Sequence, residues 1–219
     1  MKRIALVVSI SILSSTSFGQ TDKEKDSLVS EICKTVKKTK KMSDSAIIVF
    51  VYQKHLTPFL SNYPSDKREG ISDAIYFRLQ RNCWEFKDII NRRYSPKGDW
   101  QEVAEKPKTK LGKKACIHFL DYKKYQYIEA SGDTVNLSIE NGFWIDKFKD
   151  GSYSKLKFNW VTDCEFDIEF IESNNVTRKG YSKPGDKYRY QILEKAEHYY
   201  LISVEISGTN RYMTFKMYY

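Results

Sequence analysis

From Ile117 onward the apolar side chains recur at every second position. Cys164, Phe166, Ile168 and Phe170 fall on one phase, with Glu165, Asp167 and Glu169 on the other. Leu156, Phe158 and Trp160 alternate with Lys155, Lys157 and Asn159, and Val135, Leu137 and Ile139 with Asn136, Ser138 and Glu140. Tyr200, Ile202, Val204 and Ile206 continue the pattern. Successive side chains of a strand point to opposite faces, so each run has one apolar face and one wet face. Turn-forming sequences separate the runs: Ser131-Gly132-Asp133, Asn141-Gly142, Lys149-Asp150-Gly151, Thr162-Asp163, Lys183-Pro184-Gly185-Asp186 and Ser207-Gly208-Thr209-Asn210. Alternation with such short spacing predicts an antiparallel meander. The strands are expected near 118–129, 134–140, 143–148, 153–161, 164–172, 187–194, 198–206 and 211–218. A set of about eight strands is enough to close a small barrel and abolish its edges.

Residues 20–94 follow a different period. Leu28, Val29, Ile32, Cys33 and Val36 recur at helical spacing, opposite Lys and Thr. A second helix is expected over about 44–60, opened by Asp44 or Ser45 and bent or ended by Pro58. A third, over about 66–93, places Ile71, Ile75, Leu79, Cys83, Phe86 and Ile90 on one stripe. Residues 95–114, with Pro96, Gly98, Pro107 and Gly112 among many charges, read as a linker. The expected fold class is therefore α+β: a helical domain at 20–94, then an antiparallel β-barrel or sandwich at 115–219.

Met1-Lys2-Arg3, an apolar stretch from Ile4 to Leu13 and the small residues Ser14 to Ser17 make a secretory signal peptide, with cleavage expected near Gly19. That places the mature chain outside the cell or in the periplasm. No later stretch is apolar enough to predict a membrane span. Four cysteines in an exported chain then predict disulfides. Cys33–Cys83 with Cys116–Cys164 is the favoured pairing, because each bridge closes within one half of the chain; pairing across the halves is the competitor.

One element carries a resemblance. Trp160-x-x-Asp163-Cys164 joins two alternating runs and is followed by the Gly185-Asp186 turn, a Tyr199-Tyr200 strand and a final strand. This pattern resembles a group of small exported bacterial proteins of the Bacteroidetes type with a lipocalin-like β half. The resemblance spans residues 115–219. It implies a fold and a compartment and supplies no catalytic residues.

The net charge of +9 is unevenly spread. Lys and Arg outnumber Asp and Glu between residues 20 and 110 and are nearly balanced by them beyond. Lys34, Lys37, Lys38, Lys40 and Lys41 form a cluster suited to an anionic surface, or simply the wet face of an amphipathic helix. Nucleic acid is not expected for an exported chain without a recognition module. The carboxylates Glu165, Asp167 and Glu169 share a strand face, but strand rise spreads them over about 13 Å, too far for one ion. His55, His118 and His198 share no metal-ligand spacing, and no nucleotide, metalloprotease or hydrolase motif occurs. Cys116-x-His118 is the single thiol–imidazole pair close in sequence, and Cys116 is claimed by a disulfide. No metal or cofactor is expected.

What remains is a density of aromatic residues: 16 Tyr, 12 Phe and 4 Trp. Phe158, Trp160, Phe166, Phe170, Tyr190 and Tyr200 fall on inward phases and are the candidate lining of a ligand cavity, although side chains this large on short strands are expected to fill a small eight-stranded barrel. The expected function is non-catalytic binding, in the first instance of a small apolar or amphipathic ligand. The alternatives are an interaction or immunity-type protein that docks a partner on its surface, and an unrecognised hydrolase with its cleft between the two halves.

Overall fold

The computed structural model describes residues 17–94, 97–206 and 209–219, with side chains from residue 22. Residues 1–16, which hold the apolar core of the expected signal peptide, lie outside the described residues. A helical region precedes a closed eight-stranded antiparallel barrel, to which one short strand is added.

Helix α1 (Ser17–Lys38) buries Leu28, Val29, Ile32, Cys33 and Val36 against its neighbours. Helix α2 (Asp44–Val51) is capped by Ser43, whose hydroxyl accepts from the Ala46 amide at 3.3 Å. The chain does not stop at Pro58. It passes through a π-helical turn (Tyr52–Leu56) into α3 (Thr57–Ser61), and Pro58 stands in the first turn of α3. The missing proline N–H and the ring's bulk are absorbed where the helix is widened.

The expected third helix is two, α4 (Ser65–Asn82) and α5 (Trp84–Arg93). Cys83 between them is extended, at φ −133° and ψ 96°. The break lets its sulfur reach Cys33, with the two Cα atoms 5.5 Å apart. It also shifts the buried stripe, which runs Ile75, Leu79, Cys83, Phe86 and Ile89 in place of Ile90.

Residues 97–114 do not hang free. β1 (Gln101–Val103) pairs with the last strand of the barrel, Trp100 stacks on Phe215 with ring centres 4.2 Å apart, and the Lys110 amide donates to the Leu193 carbonyl at 2.8 Å. Residues 118–122, expected to open the first strand, instead form a 3-10 turn (His118–Tyr122) after the short helix α6 (Lys113–Ile117). The run Ile117-His118-Phe119-Leu120 is too short for its period to distinguish strand from helix. Phe119 is fully buried at the end of the barrel, a position that the turn gives it.

The barrel strands are β2 (Lys124–Ile128), β3 (Thr134–Glu140), β4 (Phe143–Lys147), β5 (Tyr153–Trp160), β6 (Glu165–Ser173), β7 (Lys187–Lys195), β8 (Tyr199–Glu205) and β9 (Tyr212–Tyr218). Each pairs with the next, and β9 returns to β2 through Gln126 and Tyr218. Asn141 and Gly142, both at positive φ (53° and 76°), make the tight β3–β4 turn. Between β6 and β7 lies a helix absent from the sequence reading, α7 (Val176–Tyr181), capped by the Asn175 side chain.

The helical region meets the barrel along α7. Gly180 permits close approach: a Cβ there would fall 2.7 Å from the Phe77 ring of α4. Around this contact Arg81 pairs with Asp186, Lys183 with Asp26, and Arg78 with Asp22 at 2.9 Å and Asp26 at 3.2 Å. The Arg81 guanidinium also lies 5.1 Å from the Tyr188 ring centre.

Candidate functional site

The six candidate lining residues converge inside the barrel, and they pack on one another. Phe166 is at the centre and fully buried. Its ring centre is 4.7 Å from Phe158, 5.4 Å from Tyr190 and 5.8 Å from Trp160. Phe119 at 5.6 Å and Trp144 at 6.0 Å complete its surroundings. Phe158 and Trp160 meet edge to face at 5.3 Å. Phe170 is buried in the same cluster on β6, and Tyr200 stands edge-on to Phe119 at 5.2 Å. Inward positions of five consecutive strands, β4 to β8, are thus occupied by large rings at the separations that aromatic pairs prefer. Small barrels with such side chains are filled cores.

Both ends are covered. At one end the Cys116–Cys164 disulfide, with Cα atoms 5.2 Å apart, anchors the 3-10 turn that inserts Phe119. Tyr122 and Tyr219 lie over it with ring centres 3.9 Å apart. At the other end Trp100 and α7 close the barrel over a small polar cluster. Asp146 points inward from β4, 5 % exposed, and accepts from Trp144 Nε1 at 2.9 Å. Burial raises its carboxyl to a pKa of about 7, and the Trp144 and Tyr127 hydrogen bonds only partly offset this. Burial likewise pushes the Tyr127 phenol up. Arg178 of α7 pairs with Glu129, and its guanidinium lies 5.4 Å from the Phe148 ring centre.

Asp146 escaped the sequence reading because Phe143-Trp144-Ile145-Asp146-Lys147 is apolar on both phases at first. The available signal was that Asp146 shares the phase of Trp144. A buried carboxyl that accepts from Trp144 and Tyr127 beneath a helix can hold the end of the barrel together.

The carboxylate, thiol and histidine candidates on the barrel are held in pairs. Glu165, Asp167 and Glu169 point outward and each has a cation: Lys106 Nζ lies 2.5 Å from Glu165, Arg189 Nη2 3.0 Å from Asp167, and Lys187 Nζ 3.5 Å from Glu169. Cys116 is bonded to Cys164, and the His118 ring bonds to Asp121 at 2.6 Å, so no thiol–imidazole pair forms. Glu85 lies 3.9 Å from the Cys33 sulfur and 3.8 Å from that of Cys83, which are spent on each other. An open cleft of about 450 Å³ runs beside the second disulfide, lined by Thr109, Leu111, Thr162 and Gln191, with Lys113 and Asp163 paired across it at 2.9 Å. Lys34, Lys37, Lys38, Lys40 and Lys41 are all exposed on the end of α1 and the following turn. Among the described residues no helix is long and apolar enough to cross a membrane.

Comparison with family models, curated proteins and solved structures finds no match to this chain.

Proposed function

We propose that this is an exported, non-catalytic binding protein whose barrel is a filled scaffold and whose partner is met on the outer surface. The observation that carries the reading is the barrel interior, where the six candidate lining side chains occupy the space a ligand would need. The junction of the two halves, where a hydrolase would keep its cleft, is taken up by the Arg78, Arg81 and Lys183 ion pairs and by the Gly180–Phe77 contact. Two disulfides suit an oxidising compartment. With cleavage of the leader near Gly19, the mature chain is secreted or periplasmic. The lipocalin-like likeness of residues 115–219 is then one of architecture, and the small apolar ligand gives way to a macromolecular or surface partner.

Thermal denaturation in the presence of fatty acids, phospholipids and sterols tests this. A ligand held in the barrel at 100 times its Kd adds about 2.7 kcal/mol to stability. The outer-surface reading predicts no such shift from monomeric ligands. A molecule that raises Tm by several degrees at one-to-one stoichiometry overturns it.

A further inference from the structure

Helix α2 breaks the pattern of the other helices. From Ala46 to Tyr52 every residue is apolar or aromatic, yet only Ile47 and Val51 of α2 are buried. Val49 is 55 % exposed, Tyr52 45 % and Phe50 37 %, and Met42 in the preceding turn is 40 % exposed. A helix that is apolar all round is ordinarily enclosed. Single exposed apolar residues need no explanation, but four within eleven positions, on α2 and the residues flanking it, form a patch.

The same end of the molecule is basic. The turn after α1 brings Lys38, Lys40 and Lys41 to the start of α2, and Lys54 lies beyond its end. Lys54 Nζ is 5.3 Å from the Phe50 ring centre. Among the described residues these four lysines make no ion pair, whereas Lys106, Lys110, Lys113 and Lys187 on the barrel each have a carboxylate partner. Apolar side chains thus protrude within a frame of free ammonium groups.

We propose that this face, in the outer-surface reading given above, rests on an anionic membrane surface. Phe50, Val49, Tyr52 and Met42 would enter the boundary between headgroups and acyl chains, and the lysine stems would carry their charges to the phosphates. A protein partner fits less well. Four protruding apolar side chains cover only a fraction of the roughly 800 Å² per side that a stable protein interface buries.

The test is flotation of the purified protein with vesicles of phosphatidylcholine alone or with about 30 % phosphatidylglycerol. The protein is expected to float with the anionic vesicles at about 50 mM salt and to be released at about 500 mM, where the screening length shrinks to a few ångströms. Val49→Ser with Phe50→Ser, both at exposed positions, is expected to lower the bound fraction about tenfold. Lys38→Gln, Lys40→Gln and Lys41→Gln are each expected to cost about fivefold at low salt. Far-UV circular dichroism and Tm should stay unchanged in all of these variants. Absence of binding to anionic vesicles at low salt, equal binding to neutral ones, or insensitivity to both sets of substitutions overturns the proposal. None of these outcomes touches the outer-surface reading, which falls to a ligand found inside the barrel or to a hollow interior.

Discussion

Phe166→Ala is the substitution that best separates a filled barrel from a hollow one. Phe166 has no exposed surface, and five aromatic rings lie with centres 4.7 to 6.0 Å from its own. Truncating a buried Phe costs about 3–5 kcal/mol, with the larger values where the surroundings cannot collapse into the space. The neighbours here sit on strands of a closed barrel and on a disulfide-anchored turn, so collapse is restricted. The aromatic contacts add about 0.5–1.5 kcal/mol per pair beyond area alone. The expected loss is therefore at least about 4 kcal/mol. With a urea m-value of about 2 kcal/mol per M, the midpoint should fall by about 2 M with m unchanged. Unfolding followed by circular dichroism and by tryptophan fluorescence measures it. In a hollow barrel the ring would face a void on one side and have few partner atoms to lose. A loss below about 1.5 kcal/mol would refute the packing argument.

Two further predictions concern the ends of the barrel. Asp146 has its pKa raised on folding, so its contribution is present in full below about pH 4 and lost as pH climbs through about 7. Wild type should lose about 2–3 kcal/mol between pH 5 and pH 8 relative to Asp146→Asn, measured by urea unfolding at both values; parallel pH profiles would contradict the burial of a titrating acid. Replacing Cys116 and Cys164 together by Ser opens a bridge between residues 48 apart and should cost about 4 kcal/mol, read by calorimetry. A change under about 1 kcal/mol would mean that the turn carrying Phe119 is held by its packing alone.

Much of the barrel was legible because its strands obey a strict period. β3 through β9 fall within a residue or so of the expected ranges, since one buried face fixes the register of each strand. The favoured pairing of cysteines within each half is the one the structure contains. The departures have particular causes. α7 was hidden because its six residues, Val-Thr-Arg-Lys-Gly-Tyr, are too few to display a helical period. The break at Cys83 was hidden because the apolar stripe runs through it with a shift of a single residue. The inward phase of Phe158, Phe166 and Tyr200 was legible, but whether their rings enclose a space or fill it depends on strand tilt and rotamer, which alternation does not encode. The α2 patch was masked too: Ile47-Ile48-Val49-Phe50-Val51 reads as core, and only the packed structure shows how much of it is left outside.

Pressure-induced unfolding tests the filled scaffold without a guess at any ligand. Unfolding under pressure eliminates internal voids, and the volume change scales with them over a range of about −20 to −100 mL/mol. With the barrel followed through Trp144 and Trp160, a filled interior predicts a value in the smaller half of that range, about −50 mL/mol or less in magnitude. A volume change at or beyond about −100 mL/mol would reveal a hollow barrel and return the function to a ligand carried inside it.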